Sequence, residues 1–204
     1  NSNLCPKDAL MDRLIKASHH IKNFEVYTSA EAMFSQSEYI RDGMDFKQWH
    51  NNMIRLIEEG NLTGLHVMCT INALCLDSLP QFIDMLVNMK RKYGRDYPNF
   101  TLNILRFPSF QSAVVLPKDI KQKAIGLLNE KATLYKDELH EHEYNQMNRL
   151  INYLESVDSP HAGADTLERL QQDFKNFYSQ YDKRRGKTFE KTFSPEMVEW
   201  YVGL

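Results

Sequence analysis

Ser29 and Glu31 stand two residues apart at the end of an aromatic and β-branched run, Phe24-Glu25-Val26-Tyr27-Thr28-Ser29. If that run is a strand, alternation puts Tyr27, Ser29 and Glu31 on one face. A hydroxyl beside a carboxylate suits vicinal hydroxyls such as those of a ribose, and it equally suits capping of the helix that follows. Arg41, in Tyr39-Ile40-Arg41-Asp42-Gly43, can grip a ligand carboxylate through two parallel N–H bonds or pair with Glu38 or Asp42 beside it. Thr70 and Asn72 share a parity at the end of a second run, Leu65 to Asn72, where they can face a ligand or tie strand to loop. A third run, Phe100 to Arg106, leads into Phe107-Pro108-Ser109-Phe110. There Phe107 and Phe110 can wall a flat heterocycle or belong to the core, and Arg106 needs solvent, a carboxylate or an anionic ligand.

Other clusters carry less chemistry. His140-Glu141-His142-Glu143 has metal-capable side chains, but helical residues two apart point in different directions, so the histidines do not converge on one ion. Asp182-Lys183-Arg184-Arg185-Gly186-Lys187 is a dense basic turn, suited to a phosphate or a partner and equally to a solvated helix end. Cys5, Cys69 and Cys75 form no CxxC or CxxxCxxC, so they supply no complete zinc or iron–sulfur ligand set. The nucleotide and hydrolase signatures GxGxxG, GxxxxGK[ST], GxSxG and HExxH do not occur.

The elements that must position these residues alternate. Pro6 opens a helix carrying Leu10, Leu14, Ile15 and Ile21. Asp45 caps a second helix whose inner face is Phe46, Trp49, Met53, Leu56 and Ile57, with Gly60 at its end. Ser78 caps a third, carrying Phe82, Ile83, Leu86, Val87 and Met89 and ending in Lys90-Arg91-Lys92 before Gly94. Strands spaced by such helices are the pattern of βα units and a parallel sheet, in which ligands meet the C-terminal ends of strands. From Pro117 the pattern becomes wholly helical: 117 to about 152, 165 to 184 and a short stretch at 196–201, with Ser159 to Gly163 breaking the first two. The expected division is therefore 1–116, three βα units, and 117–204, a helical extension.

Composition bounds the function. The chain has 204 residues, 42% of them hydrophobic, and 25 basic against 27 acidic side chains for a net charge of −2. No global basic field for nucleic acid exists, no apolar run is long enough for a membrane span, and an odd count of unclustered cysteines points to a reducing, cytoplasmic setting. The chain opens on Asn1 with turn formers running at once into a helix, which reads as the C-terminal piece of something longer, with a processed mature protein as the alternative.

Taken in order, Glu25 to Glu31, Tyr39 to Gly43, Trp49-His50-Asn51-Asn52, Met68 to Leu74, Asn103 to Ser112 and Asp182 to Phe189 resemble the second half of a radical S-adenosylmethionine enzyme, of the twitch type found in bacteria and phages. The resemblance implies the C-terminal half of a partial (β/α)6 TIM-like barrel followed by a mainly helical extension. In that family a CxxxCxxC loop after the first barrel strand holds a [4Fe-4S] cluster and a Gly-Gly-Glu segment after the second binds the cofactor's amine; neither is in this sequence. Asn1 to Asn3 then match the exit of the third barrel strand, and the strand at residues 24–29 is expected to show an exposed apolar edge where that strand would pair.

Carried over residue by residue, the resemblance assigns Ser29 and Glu31 to the ribose, Arg41 to the cofactor's carboxylate, Thr70 and Asn72 to the fifth barrel strand beside the cofactor, and Leu105 and Phe107 to the flanks of the adenine. It implies S-adenosylmethionine and a [4Fe-4S] cluster with ligands upstream, an external electron donor, and a small-molecule or peptide substrate, with reductive cleavage to a 5′-deoxyadenosyl radical that abstracts hydrogen. Many twitch members carry an auxiliary cluster on further cysteines, and no cysteine follows Cys75; either this branch has lost that cluster or the extension has become a helical cap. The rival reading is a non-catalytic α/β interaction module whose basic turn, 182–187, meets a partner.

Overall fold

The structure, a computed structural model, describes residues 2–157 and 166–204. The expected break at Ser159 to Gly163 lies outside them. Three strands, β1 (Glu25–Ser29), β2 (Gly64–Ile71) and β3 (Asn99–Ile104), form one parallel sheet in the order β1-β2-β3. Helix α1 (Asp8–Ser18) precedes β1; α2 (Phe34–Ile40) and α3 (Phe46–Glu59) link β1 to β2; α4 (Leu79–Tyr93) links β2 to β3. After β3 come α5 (Lys118–Leu134), α6 (Glu141–Ser156), α7 (Leu167–Arg185), α8 (Phe189–Thr192) and α9 (Pro195–Gly203).

Local chemistry explains most of these boundaries. Asp45 accepts the Gln48 N–H at 2.8 Å and starts α3, which buries Phe46, Trp49, Met53 and Leu56. Gly60 ends it because a Cβ there would lie 2.6 Å from the Leu56 carbonyl. The expected cap of α4, Ser78, makes no cap bond; its hydroxyl accepts the Met33 N–H at 3.0 Å instead. The helical stretch expected from 117 to 152 is two helices, because His140 and Glu143 form a capping box that starts α6 afresh. Residues on both sides of position 117 share one hydrophobic cluster, from Leu4 to Tyr201.

Topology decides which face of the sheet is covered. Parallel crossovers are right-handed in nearly every case, so strands laid down in monotonic order send each connecting helix to the same face. Val26, Thr28, Leu65, Val67, Cys69, Phe100 and Leu102 are buried on that face, and the Trp49 indole of α3 donates to the Thr28 hydroxyl at 2.8 Å. The opposite face carries two lateral rows, Tyr27-His66-Asn99 and Ser29-Met68-Thr101, followed by Thr70 beside Asn103. Most parallel sheets are covered on both faces; here that second face is polar and only partly covered, with Met68 38% exposed.

β1 is an edge strand, as the sequence led us to expect, but its edge is not apolar. Val26 lies under the helices, and the side chains toward the open face are Glu25, Tyr27 and Ser29. Among the described residues one backbone bond reaches the outer side of β1, from the Ser2 N–H to the Tyr27 carbonyl at 2.9 Å.

Candidate functional site

Beyond β1 the side chain at the next position of the Tyr27 and Ser29 parity is Glu31, 2% exposed. Its Oε2 accepts two bonds from Arg41, from Nε at 3.1 Å and from Nη2 at 2.6 Å, and one from the Thr70 N–H at 3.4 Å. Burial pushes the Glu31 carboxyl above its ordinary range, while the Arg41 guanidinium and the Thr70 N–H pull it back. The three donors thus oppose, without cancelling, the upward push of burial.

Arg41 is the residue that ends α2, and Gly43, at φ +82°, makes the turn that follows. With Nε and Nη2 both on Glu31, the second amino group, Nη1, has no acceptor among the described residues, and the side chain keeps 30% exposure. Arg41 lines a cavity of 710 Å³ together with Ser2, Asn3, Tyr27, Ser29, Asp42 and Met68. A guanidinium braced on one side and open on the other is a fixed fork for an anion, because its rotamer is already set before a ligand arrives. The cavity floor is the open sheet face, where the Tyr27 ring stacks on His66 with centroids 4.5 Å apart. Gly64 makes room for that stack: a Cβ there would sit 2.5 Å from His66 Nε2.

The structure therefore joins Glu31 to Arg41 and to the Thr70 backbone, sets Ser29 beside Arg41 on the cavity wall, and gives the other three candidates no bond to Glu31 or Arg41 among the described residues. Asn72 is drawn into its own loop, its Oδ1 accepting the Leu74 and Cys75 N–H groups at 2.9 and 3.1 Å and its amide donating to the Thr70 carbonyl at 3.0 Å. The Leu105 N–H extends the ladder to the Ile71 carbonyl at 2.9 Å, and Phe107 stands 74% exposed past the end of β3. Met68 lines the cavity without having been singled out; its parity with Thr70 on β2 was the available signal.

The remaining clusters resolve into structure. The His140 ring caps α6 and lies 3.0 Å from Asp96, while Glu143 is fully buried. Cys69 and Cys75 are buried, and that burial, with the Glu31 charge nearby, pushes both thiols far above the thiolate range. Among the described residues no three His, Cys, Asp or Glu side chains converge as metal ligands, so the donor set present does not fit an iron–sulfur cluster. Among those residues, too, no helix is long and apolar enough to cross a membrane.

Comparison with protein families, with curated proteins and with solved structures finds no match to this chain.

Proposed function

We propose that this chain is the cofactor-orienting part of a radical S-adenosylmethionine enzyme, its sheet being half of a partial (β/α)6 barrel whose lumen is the open polar face. The observation that carries the reading is the braced guanidinium: Arg41, held through Nε and Nη2 by buried Glu31 just past β1, lines one cavity together with Ser29. Arg41 would receive the cofactor's carboxylate and Ser29 a ribose hydroxyl. Glu31 acts through Arg41, which replaces the ribose contact that the sequence suggested for it. S-adenosylmethionine held there would supply the 5′-deoxyadenosyl group for hydrogen abstraction, once one electron from a [4Fe-4S] cluster held outside the described residues split its S–C5′ bond with release of methionine. The described residues offer no ligand set for that cluster, so the part assigned to this chain is to bind, orient and shield.

The rival reading, a basic turn at 182–187 that meets a partner, has less support. Asp182, Arg185 and Lys187 are engaged with Tyr39, Glu38 and Asp42 of the same chain.

The test uses S-adenosylmethionine and its decarboxylated analogue, which keeps the sulfonium and the amine but lacks the carboxylate. Titration calorimetry should show the parent compound binding about ten- to a hundredfold tighter, the worth of a charge-assisted hydrogen bond. Arg41→Met should abolish the difference. Equal affinities in the unsubstituted chain would sink the assignment of Arg41. For the activity itself, the complete open reading frame that encodes this chain, reconstituted anaerobically, should release 5′-deoxyadenosine; an intact cluster without that product removes the enzymatic reading.

A further inference from the structure

The basic turn after α7 is built to leave the helix at one place. Gly186, at φ +62°, ends α7 in the left-handed region, and the Lys187 N–H returns to the Asp182 carbonyl at 3.2 Å. That geometry sends Lys187 back along the helix toward α2. Its Nζ donates to the Glu38 carbonyl and lies 3.1 Å from Asp42 Oδ1, while Arg185 takes Asp42 Oδ2 at 2.8 Å. One turn earlier, the Tyr39 hydroxyl donates to Asp182 at 2.7 Å and the Tyr181 hydroxyl donates to the Tyr39 carbonyl at 2.7 Å. The Tyr39 ring packs 5.3 Å from Tyr181 and 5.1 Å from Phe193, centroid to centroid. The Lys187 bond, with Arg185 beside it, holds the Asp42 carboxyl below its ordinary range.

These bonds converge on residues 38–42, the segment that carries Arg41. Helix α2 has seven residues, fewer than an isolated helix needs to hold itself together, so its last turn takes its shape from what packs on it. Glu31 grips the guanidinium head from the sheet side; the arm from Tyr181 to Lys187 grips the backbone beneath it from the other. We propose that this arm is a positioning element for Arg41: Tyr181, Asp182, Arg185 and Lys187 set the angle at which the guanidinium meets an anionic ligand group, so that the helical extension tunes the strand-end site without touching the ligand. The inference rests on the cofactor-binding reading above for the nature of the anion, and on the geometry alone for the clamp.

Lys187→Met keeps the aliphatic stem and Tyr181→Phe keeps the ring, so the double variant removes three clamp contacts, Lys187 to Glu38 and Asp42 and Tyr181 to Tyr39, with little loss of packing; thermal unfolding checks that it folds. Hydrogen exchange in segment 38–44 should quicken by about tenfold or more while the strands exchange as before, because local opening answers to local contacts. Affinity for S-adenosylmethionine should fall by about five- to tenfold and that for the decarboxylated analogue should stay, and in an Arg41→Met background the double variant should cost nothing further. Unchanged exchange in 38–44, or equal weakening of both compounds, overturns the proposal. If the unsubstituted chain binds neither compound, the cofactor reading fails; the clamp is then decided by exchange alone, standing if 38–44 quickens and falling if it does not.

Discussion

At the β3 edge, helix α6 takes the place of a fourth strand, whereas at the β1 edge, among the described residues, only Ser2 reaches the backbone. Glu143, Gln146 and Arg149 stand three residues apart, so they share one face of α6. They meet the outward-facing groups of β3 in order: Glu143 accepts the Phe100 N–H at 3.0 Å, Gln146 accepts the Leu102 N–H, and Arg149 donates to the Leu102 carbonyl at 2.7 Å. An uncovered edge invites pairing with another strand. The same sheet therefore has one edge closed by side chains that mimic a strand and another left with pairing capacity, and the closed edge lies on the side where the extension packs.

Closing the β3 edge puts charge in the interior. Glu143 is fully buried and meets Lys90 of α4 at 3.0 Å, with Lys90 also donating to the Arg95 carbonyl at 2.7 Å and Glu143 accepting the His140 N–H at 2.9 Å. Burial pushes the Lys90 ammonium down and Glu143 opposes the shift. One carboxylate thus ties α4, β3 and the start of α6. Removing a single partner of such a pair strands the other, so Glu143→Ala should cost about 3–5 kcal/mol in urea unfolding, the largest effect of any single substitution at either edge. Glu143→Gln keeps an acceptor for Phe100 and should cost less. If Glu143→Ala costs under about 1 kcal/mol, the edge is held by apolar packing of α5 and α6 and the contrast between edges loses its energetic content.

Gln146→Leu and Arg149→Met break the mimicry without disturbing the ion pair. Each leaves one backbone group of Leu102 unsatisfied beneath α6, for about 1–2 kcal/mol. The two should be additive only in part, since both bonds hold the same residue. Full additivity, measured by a double-mutant cycle, would mean that α6 does not meet the edge as one unit.

What could be read ahead of the structure follows the range of the interactions. The strands and α3 announce themselves through β-branched runs, a helical apolar stripe and the Asp45 cap, all of them local. The seven residues of α2 do not, since a helix that short is set by Tyr181 and Lys187, which are about 140 residues away in the chain. The start of α6 was hidden because histidine is not among the favoured capping residues. At the site, parity put Ser29 and Glu31 on one face, and Arg41 stood out separately by its place just before the Gly43 turn. What composition cannot express is that Glu31 binds Arg41 itself, a pairing fixed by the path of the chain between them. Phe107, with a flat ring at a strand exit, carried the right chemistry for an adenine and stands in solvent.

The smallest effect is the most direct comparison of the two edges. In a parallel ladder, alternate residues turn their amides outward; on β3 these include Phe100 and Leu102, and on β1, by the bond from Ser2 to the Tyr27 carbonyl, they include Tyr27 and Ser29. All four lie within strands of one sheet, so global unfolding exposes them equally and any difference reports the edge alone. Residue-resolved hydrogen exchange should find Tyr27 and Ser29 exchanging faster than Phe100 and Leu102 by about an order of magnitude or more, the worth of one net hydrogen bond or somewhat more. In Glu143→Gln the Phe100 amide should keep its protection, because the acceptor remains. In Gln146→Leu the Leu102 amide should lose it and approach Tyr27. Equal rates for all four amides in the unsubstituted chain would mean that the β1 edge is closed in solution by a second copy or another segment, and that its pairing capacity is already in use.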